Sequence, residues 1–247
     1  MDPLAMSAAG GLRSRMQSLD LLANNLANAG TSGYKSDSEF YGLFVGADAS
    51  GSAEDGSAST SPDIERQWTD FSPGPMQPTG NPLDVALSGR GFLAVNGPGG
   101  VLYTRNGNLH VSKGGALVTG EGYPIRSTGG NPLVVTSGKA LEISKDGTVQ
   151  QDGRTLGQLE VVDFKSTDSL KKQSGTCFQN GDAKNPPVAA KDVEVEQGQI
   201  EGSNVAVPEA AMRLVGVMRQ FEMLQKAVSM GVDMNRQAIA EVAKVGS

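Results

Sequence analysis

Residues 3–29 read PLAMSAAGGLRSRMQSLDLLANNLANA, and the spacing of their apolar side chains decides the fold. Set as a heptad, the a positions are Ala5, Leu12, Leu19 and Leu26, and the d positions are Ala8, Arg15, Leu22 and Ala29. Arg15 alone interrupts the apolar stripe, so the segment predicts an amphipathic helix. Asp2-Pro3 marks its start: the carboxylate accepts from free backbone amides, and proline has no amide to leave unpaired. Gly30 offers a C-terminal cap. At ~1.5 Å per residue the helix spans ~40 Å.

The far end of the chain has the same pattern. Pro208-Glu209 reads as a helix entry with a favourable first-turn acid. From there to 245 the a positions are Leu214, Phe221, Val228, Asn235 and Val242, and the d positions are Val217, Leu224, Gly231, Ala238 and Val245. Eight of these ten are apolar, which makes a second stripe on a helix of ~57 Å. A helix cannot bury its own stripe. Two partners are open to each seam: the other terminal helix, or the β-rich body that lies between them in the chain.

That body is read from turn chemistry. Between 68 and 200, short apolar or alternating runs (83–87, 92–95, 101–105, 109–112, 133–136, 141–144, 159–164, 193–195) are separated by glycine-rich turns. Asn106-Gly107 is the strongest hairpin signal among them. The polar stretch 165–190, with Asn185-Pro186-Pro187, predicts a long loop, and the low-complexity stretch 46–62 predicts a flexible one. The expected class is α+β: long N- and C-terminal helices pairing as a coiled coil, with a central, mainly antiparallel β-domain. The divisions are 1–35 for the first helix and its turn, 36–80 for an extended linker, 81–200 for the β-rich domain, and 201–247 for the last helix.

Composition removes whole classes of function. Twenty-one basic and 27 acidic residues leave a net charge of −6, without the basic footprint of a nucleic-acid binder. One cysteine, Cys177, excludes an internal disulfide, and one histidine, His110, excludes any site that needs two imidazoles. No run approaches the ~18 apolar residues of a membrane span. No conventional export signal opens the chain.

Candidate chemistry is sparse. Gly89-Arg-Gly91-Phe-Leu-Ala94 has the letters of a dinucleotide fingerprint, but a β run follows where a helix is needed, so it reads as a turn. Gly138-Lys139 lacks the glycine that would open a phosphate loop. Asp146 and Asp152 each precede glycine and read as turn residues, since the oxygen ligands of a calcium loop are missing. Glu194 and Glu196 share one strand face and read as solvated. His110 reads as structural. Cys177, in a polar stretch, has no base that can be placed beside it. No enzyme, metal or cofactor is expected.

Asn24-Asn-Leu-Ala-Asn28, followed by Gly30-Thr-Ser-Gly33-Tyr-Lys35, resembles the N-terminal signature of the bacterial flagellar rod and hook proteins. Glu201-Gly-Ser-Asn-Val205 before the last helix, Leu83–Phe92, Tyr103-Thr-Arg-Asn-Gly107 and Gly122-Tyr-Pro124 resemble further blocks of that family, in the expected order. The short length is similar to rod proteins and not to the longer hook subunit, and Met1-Asp2 with Arg219-Gln-Phe-Glu-Met223 resembles the proximal-rod type first and the distal-rod type next.

The resemblance implies a structural subunit of the basal-body rod that transmits torque. Such subunits are exported through the flagellar export apparatus without a cleaved signal into the periplasmic space. Implied partners are copies of itself and neighbouring rod proteins, without nucleic acid or membrane insertion. The seam residues Leu12, Leu19, Leu22, Leu26, Leu214, Val217, Phe221, Leu224, Val228 and Val242 then become the candidate assembly interface. Asn24, Asn25 and Asn28 offer side-chain amides to backbone or neighbouring subunits, or simply cap the helix. Gly33 supplies a turn with positive φ. The alternative is a secreted β-rich module that binds or cleaves carbohydrate or peptidoglycan; Trp68, the only tryptophan, gives it little to stack on.

Overall fold

The structure, a computed structural model, describes the backbone of residues 3–45, 60–136 and 138–245. It describes their side chains except at 3–8, 40–45, 60–66, 235, 238–239 and 241–245. The expected Asp2 cap and most of the expected 46–62 loop lie outside the described residues. The chain divides into two compact units. The first takes the residues up to Ala27, Asp37–Trp68 and the chain from Ala206 onward; the second takes Asn28–Ser36 and Thr69–Val205.

The first unit holds helix α1 (Pro3–Ala27), helix α2 (Val207–Val245) and a two-stranded sheet of β1 (Asp37–Val45) and β2 (Thr60–Thr69). The helices lie against each other. The buried face of α1 is not the leucine seam. Gly11, Ser14, Ser18, Leu22 and Asn25 are the buried positions, and Leu12, Leu19 and Leu26 are only half-buried. At ~100° per residue this buried stripe is turned roughly 80° from the seam. Gly11 faces α2 on this stripe: a Cβ there would stand 3.9 Å from Leu224 Cδ1, an ordinary van der Waals contact. Ser18 Oγ satisfies itself within the helix by donating to Ser14 O at 3.1 Å.

The second unit is built of short antiparallel strands. In chain order they are β3 (Met76–Pro78), β4 (Val85–Gly89), β5 (Phe92–Gly97), β6 (Gly100–Thr104), β7 (Leu109–Val111), β8 (Leu117–Thr119), β9 (Leu141–Ile143), β10 (Thr148–Gln151) and β11 (Arg154–Gln158). After them come β12 (Val161–Asp163), β13 (Leu170–Ser174), β14 (Cys177–Asn180), β15 (Val188–Ala189), β16 (Val193–Gln197) and β17 (Gln199–Glu201). The largest sheet has the order β13-β14-β6-β5-β12-β15. Smaller ladders pair β9 and β11 with β10, β4 with β16, β3 with β17, and β7 with β8.

The hairpin of β5 and β6 separates two cores. Its register sets Ala94 opposite Tyr103 and Val95 opposite Leu102. Side chains alternate across a strand. Leu93, Val95 and Leu102 therefore enter an aliphatic cluster with Val85, Leu117, Ile125, Leu133 and Val149. Phe92, Ala94 and Tyr103 enter an aromatic one with Phe164 and Phe178. There Tyr103 and Phe164 meet edge-on at 4.9 Å between ring centroids, and Phe71 meets Phe178 at the same distance.

Several expected elements change on inspection. The stretch 165–190 is not one loop: it contains β13, β14 and β15. Asn106-Gly107 is not a hairpin turn, because β6 pairs with β5 and β14 while β7 pairs with β8. Gly107 is instead required by close backbone approach. Val85 N donates to Gly107 O at 2.9 Å, and a Cβ there would overlap the Val85 carbonyl. The run 133–136 makes only an isolated bridge, from Ala116 to Val134. Asp152-Gly153, by contrast, forms the tight β10–β11 turn with φ of 53° and 73°. Positive φ at both central residues is the requirement of a type I′ hairpin.

Cys177 also moves from an expected polar loop to a core strand, with no exposed surface. Burial, followed by the nearby negative charge of Glu121, pushes its thiol up to about 12. Since an unfolded thiol ionises near ~8.5, the folded state holds the proton that the unfolded chain releases. The contribution of this group is intact below the unfolded value and is lost as pH rises from there towards about 12. An aromatic disulfide reagent is expected to leave Cys177 untouched in the native chain at pH 8 and to titrate one thiol in denaturant. Rapid native labelling would contradict this.

Candidate functional site

The signature turn is held to the second unit by several backbone and side-chain bonds. Helix α1 ends at Ala27, and Asn28 begins the turn: Thr31 N donates to Asn28 O at 3.0 Å and Thr31 Oγ1 to Asn28 Oδ1 at 3.3 Å. Gly30 does not adopt the left-handed cap conformation; the positive φ falls on Gly33, at 66°. A Cβ on Gly33 would also overlap the backbone of Arg105 and Asn106. Only glycine lets the turn sit against the end of β6 while Gly33 N donates to Glu201 O at 2.7 Å.

Lys35 follows, fully buried. A buried ammonium requires compensation. Its Nζ donates to Glu201 Oε1 at 2.5 Å and to Ser72 O at 2.6 Å. The other carboxylate oxygen, Glu201 Oε2, accepts from Arg105 Nη1 at 3.2 Å, and Oε1 also accepts from Gly74 N at 2.9 Å. Arg105 places two further donors on Leu87 O and Gly89 O, and its guanidinium lies 5.5 Å from the Phe92 ring centroid. Burial lowers the pKa of both Lys35 and Arg105, and the Glu201 carboxylate opposes that shift in each. One carboxylate thus serves two buried cations, and the three groups come from three distant parts of the chain.

Two further side chains hold the turn from outside. Lys172 Nζ donates to Lys35 O at 2.7 Å and stands 4.1 Å from the Tyr34 ring centroid. Asn204 Oδ1 accepts from Ser36 N at 2.8 Å, and its Nδ2 donates to Asp70 O at 2.8 Å. Lys35, Arg105, Lys172, Glu201 and Asn204 are absent from the sequence-derived interface residues, although all but Lys172 stand in the recognised blocks.

Within the first unit, Asn25 is the signature residue that the structure ties down. It is buried; its Nδ2 donates to Asp37 O at 2.7 Å and its Oδ1 accepts from Asp37 N at 3.0 Å. It therefore closes the end of α1 onto β1 as a strand partner would. Asn24 is exposed. On α2, Leu214, Val217, Phe221, Leu224 and Val228 are all half-buried; the Val242 side chain lies outside the described residues. Among the described a and d positions of both seams, Leu22 alone is buried.

Among the described residues no three His, Cys, Asp or Glu side chains cluster to hold a metal, and His110 is exposed on β7. Glu194 is paired at the surface with Lys145 Nζ at 2.9 Å. Gly89 and Gly91 form the bend between β4 and β5, not a phosphate cradle.

Three family descriptions match this chain. They are the flagella basal body rod protein over residues 6–35, the flagellar hook protein FlgE/F/G D1 domain over 86–151, and the flagellar basal body rod FlgEFG protein C-terminal region over 196–241. The chain belongs to the flagellar basal-body rod proteins. The rod protein is 29% identical to the basal-body rod protein FlgF of Caulobacter vibrioides, over 92% of each chain. It is 29% identical to FlgF of Salmonella typhimurium, over 95% of this chain and 96% of that one. It is 27% identical to the basal-body rod protein FlgG of Bacillus subtilis, over 90% and 92%. The matched N- and C-terminal regions include Lys35 and Glu201 of the buried ion cluster, and Arg105 falls in the matched central domain.

Proposed function

We propose that this rod protein, a structural subunit of the flagellum and not an enzyme, assembles through the apolar seams of α1 and α2. In this reading the helices pair as a coiled coil within the rod, with further copies and neighbouring rod proteins covering what one chain leaves open. One observation carries the proposal: in the single chain only Leu22 of the described seam positions is buried. Leu12, Leu19 and Leu26 flank the intramolecular contact instead of filling it, so they remain available. Heterologous contacts of this kind do not close and therefore build a filament. The subunit would reach its periplasmic position through the flagellar export apparatus.

The β-rich unit has a different task in this scheme. Its Lys35–Glu201–Arg105 cluster fixes the signature turn at the end of α1 and the strand that precedes α2 to one folded body. No described group favours the carbohydrate-binding or wall-cleaving alternative. Amide exchange tests the reading: both helices are expected to exchange rapidly in the dilute monomer and slowly in isolated rods. Equal, strong protection of α1 and α2 in the monomer would overturn it.

A further inference from the structure

A second apolar stripe runs along the side of α2 away from its seam. Eight of the fourteen exposed large apolar side chains among the described residues lie on this one helix. Met212, Met223, Met230 and Met234 are 70%, 62%, 61% and 70% exposed. At ~100° per residue they fall within roughly 40° of one another, along ~33 Å of helix. Gly216 and Ala227 lie between them, and Arg219, Lys226 and Asp233 flank them along one edge. The seam residues Leu214 to Val228 point roughly 140° away. The stripe is therefore separate from the contact with α1.

We propose that this methionine stripe is a site of reversible oxidation that controls assembly, an inference resting on the reading that α2 is covered in the rod. The oxidant is a hydroperoxide. The thioether sulfur attacks the outer, protonated peroxide oxygen, the O–O bond breaks as the S–O bond forms, and the proton on the transferred oxygen passes to the departing oxygen, which leaves as alcohol or water. Sulfur is oxidised by two electrons and the peroxide is reduced by two. Each methionine changes from an adaptable apolar side chain into a polar sulfoxide. Arg219 and Lys226 offer donors along one edge of the stripe only, while Gly216 and Ala227 offer none along the other, so covering four sulfoxides strips water that these side chains replace only in part. Oxidation before incorporation thus keeps the subunit out of the rod, and a methionine sulfoxide reductase restores it.

The test uses full-length chains in flagellated cells that lack their own copy and their methionine sulfoxide reductases. Wild type is compared with a variant carrying Met212→Leu, Met223→Leu, Met230→Leu and Met234→Leu, with and without sublethal hydrogen peroxide. The readouts are the amount of subunit in purified basal bodies and the sulfoxide content of assembled and unassembled pools by peptide mass spectrometry. Peroxide is expected to lower wild-type incorporation about tenfold, while the treated-to-untreated ratio of the Leu variant stays near one. Sulfoxide at the four positions should be concentrated in the unassembled pool. Equal ratios for the two chains, or sulfoxide equally abundant in basal bodies, would overturn the inference. Wild type missing from untreated basal bodies would instead overturn the assembly reading itself.

Discussion

Glu201→Ala is expected to destabilise the β-rich unit by about 3–5 kcal/mol, the cost typical of removing one partner from a buried ion pair. The carboxylate neutralises Lys35 and Arg105, which are 0% and 6% exposed, and it also accepts from Gly74 N. Without it two buried cations keep only backbone carbonyls, the Phe92 ring and the weaker pull of Asp70 and Asp163 for compensation. Helix content should be little changed, because the cluster lies wholly in the second unit. Amide exchange across β5 and β6 gives the local measure, since a loss of this size accelerates globally protected amides ~100-fold or more. Adding Lys35→Met should return part of the loss by removing one orphaned charge. Unchanged protection in Glu201→Ala would mean that the cluster contributes nothing.

The other large effect concerns assembly. Leu224→Asp should remove the subunit from the rod and stop swimming while the β-rich unit keeps its fold. Leu224 sits beside Gly11 in the contact between the helices and is half-buried there. A carboxylate at that point must be desolvated without a partner, which costs several kcal/mol, and the cost recurs at every copy added to a filament. Gln225→Asp, one residue along on the exposed side, adds the same charge without entering the contact and should swim. Normal motility with Leu224→Asp, at wild-type abundance in basal bodies, would remove the seam from the assembly mechanism.

Much of this was readable in the chain. The limits of α1 and α2 follow from Pro3 and Pro208 and from apolar periodicity, and they agree with the observed helices to within two residues at each end. The alternation of 92–95 and 101–105 marks the central hairpin, and Gly97–Gly100 marks its turn. What stayed hidden has a physical reason in each case. The buried stripe of α1 uses glycine and serine, which periodicity counts as neutral, so hydropathy placed the contact on the leucines. Strand β13 is an edge strand with Lys171 and Lys172, charges that protect an edge but imitate a loop. The ion cluster joins residues 96 and 166 positions apart, a separation at which no spacing rule links a lysine to a glutamate. Lys172 stood in no recognised block and had no signal at all.

The bond from Gly33 N to Glu201 O, with that from Ser36 N to Asn204 Oδ1, brings the entry and exit of the β-rich unit side by side. A body whose doorway is this narrow behaves as a cassette. It can lengthen or shrink in turns remote from that doorway, such as Asp152-Gly153 between β10 and β11, without altering the entry and exit, provided Gly33, Lys35, Arg105 and Glu201 are retained. Size variation among axial subunits is then cheap in folding terms, because loop insertions far from the doorway add closure entropy only logarithmically.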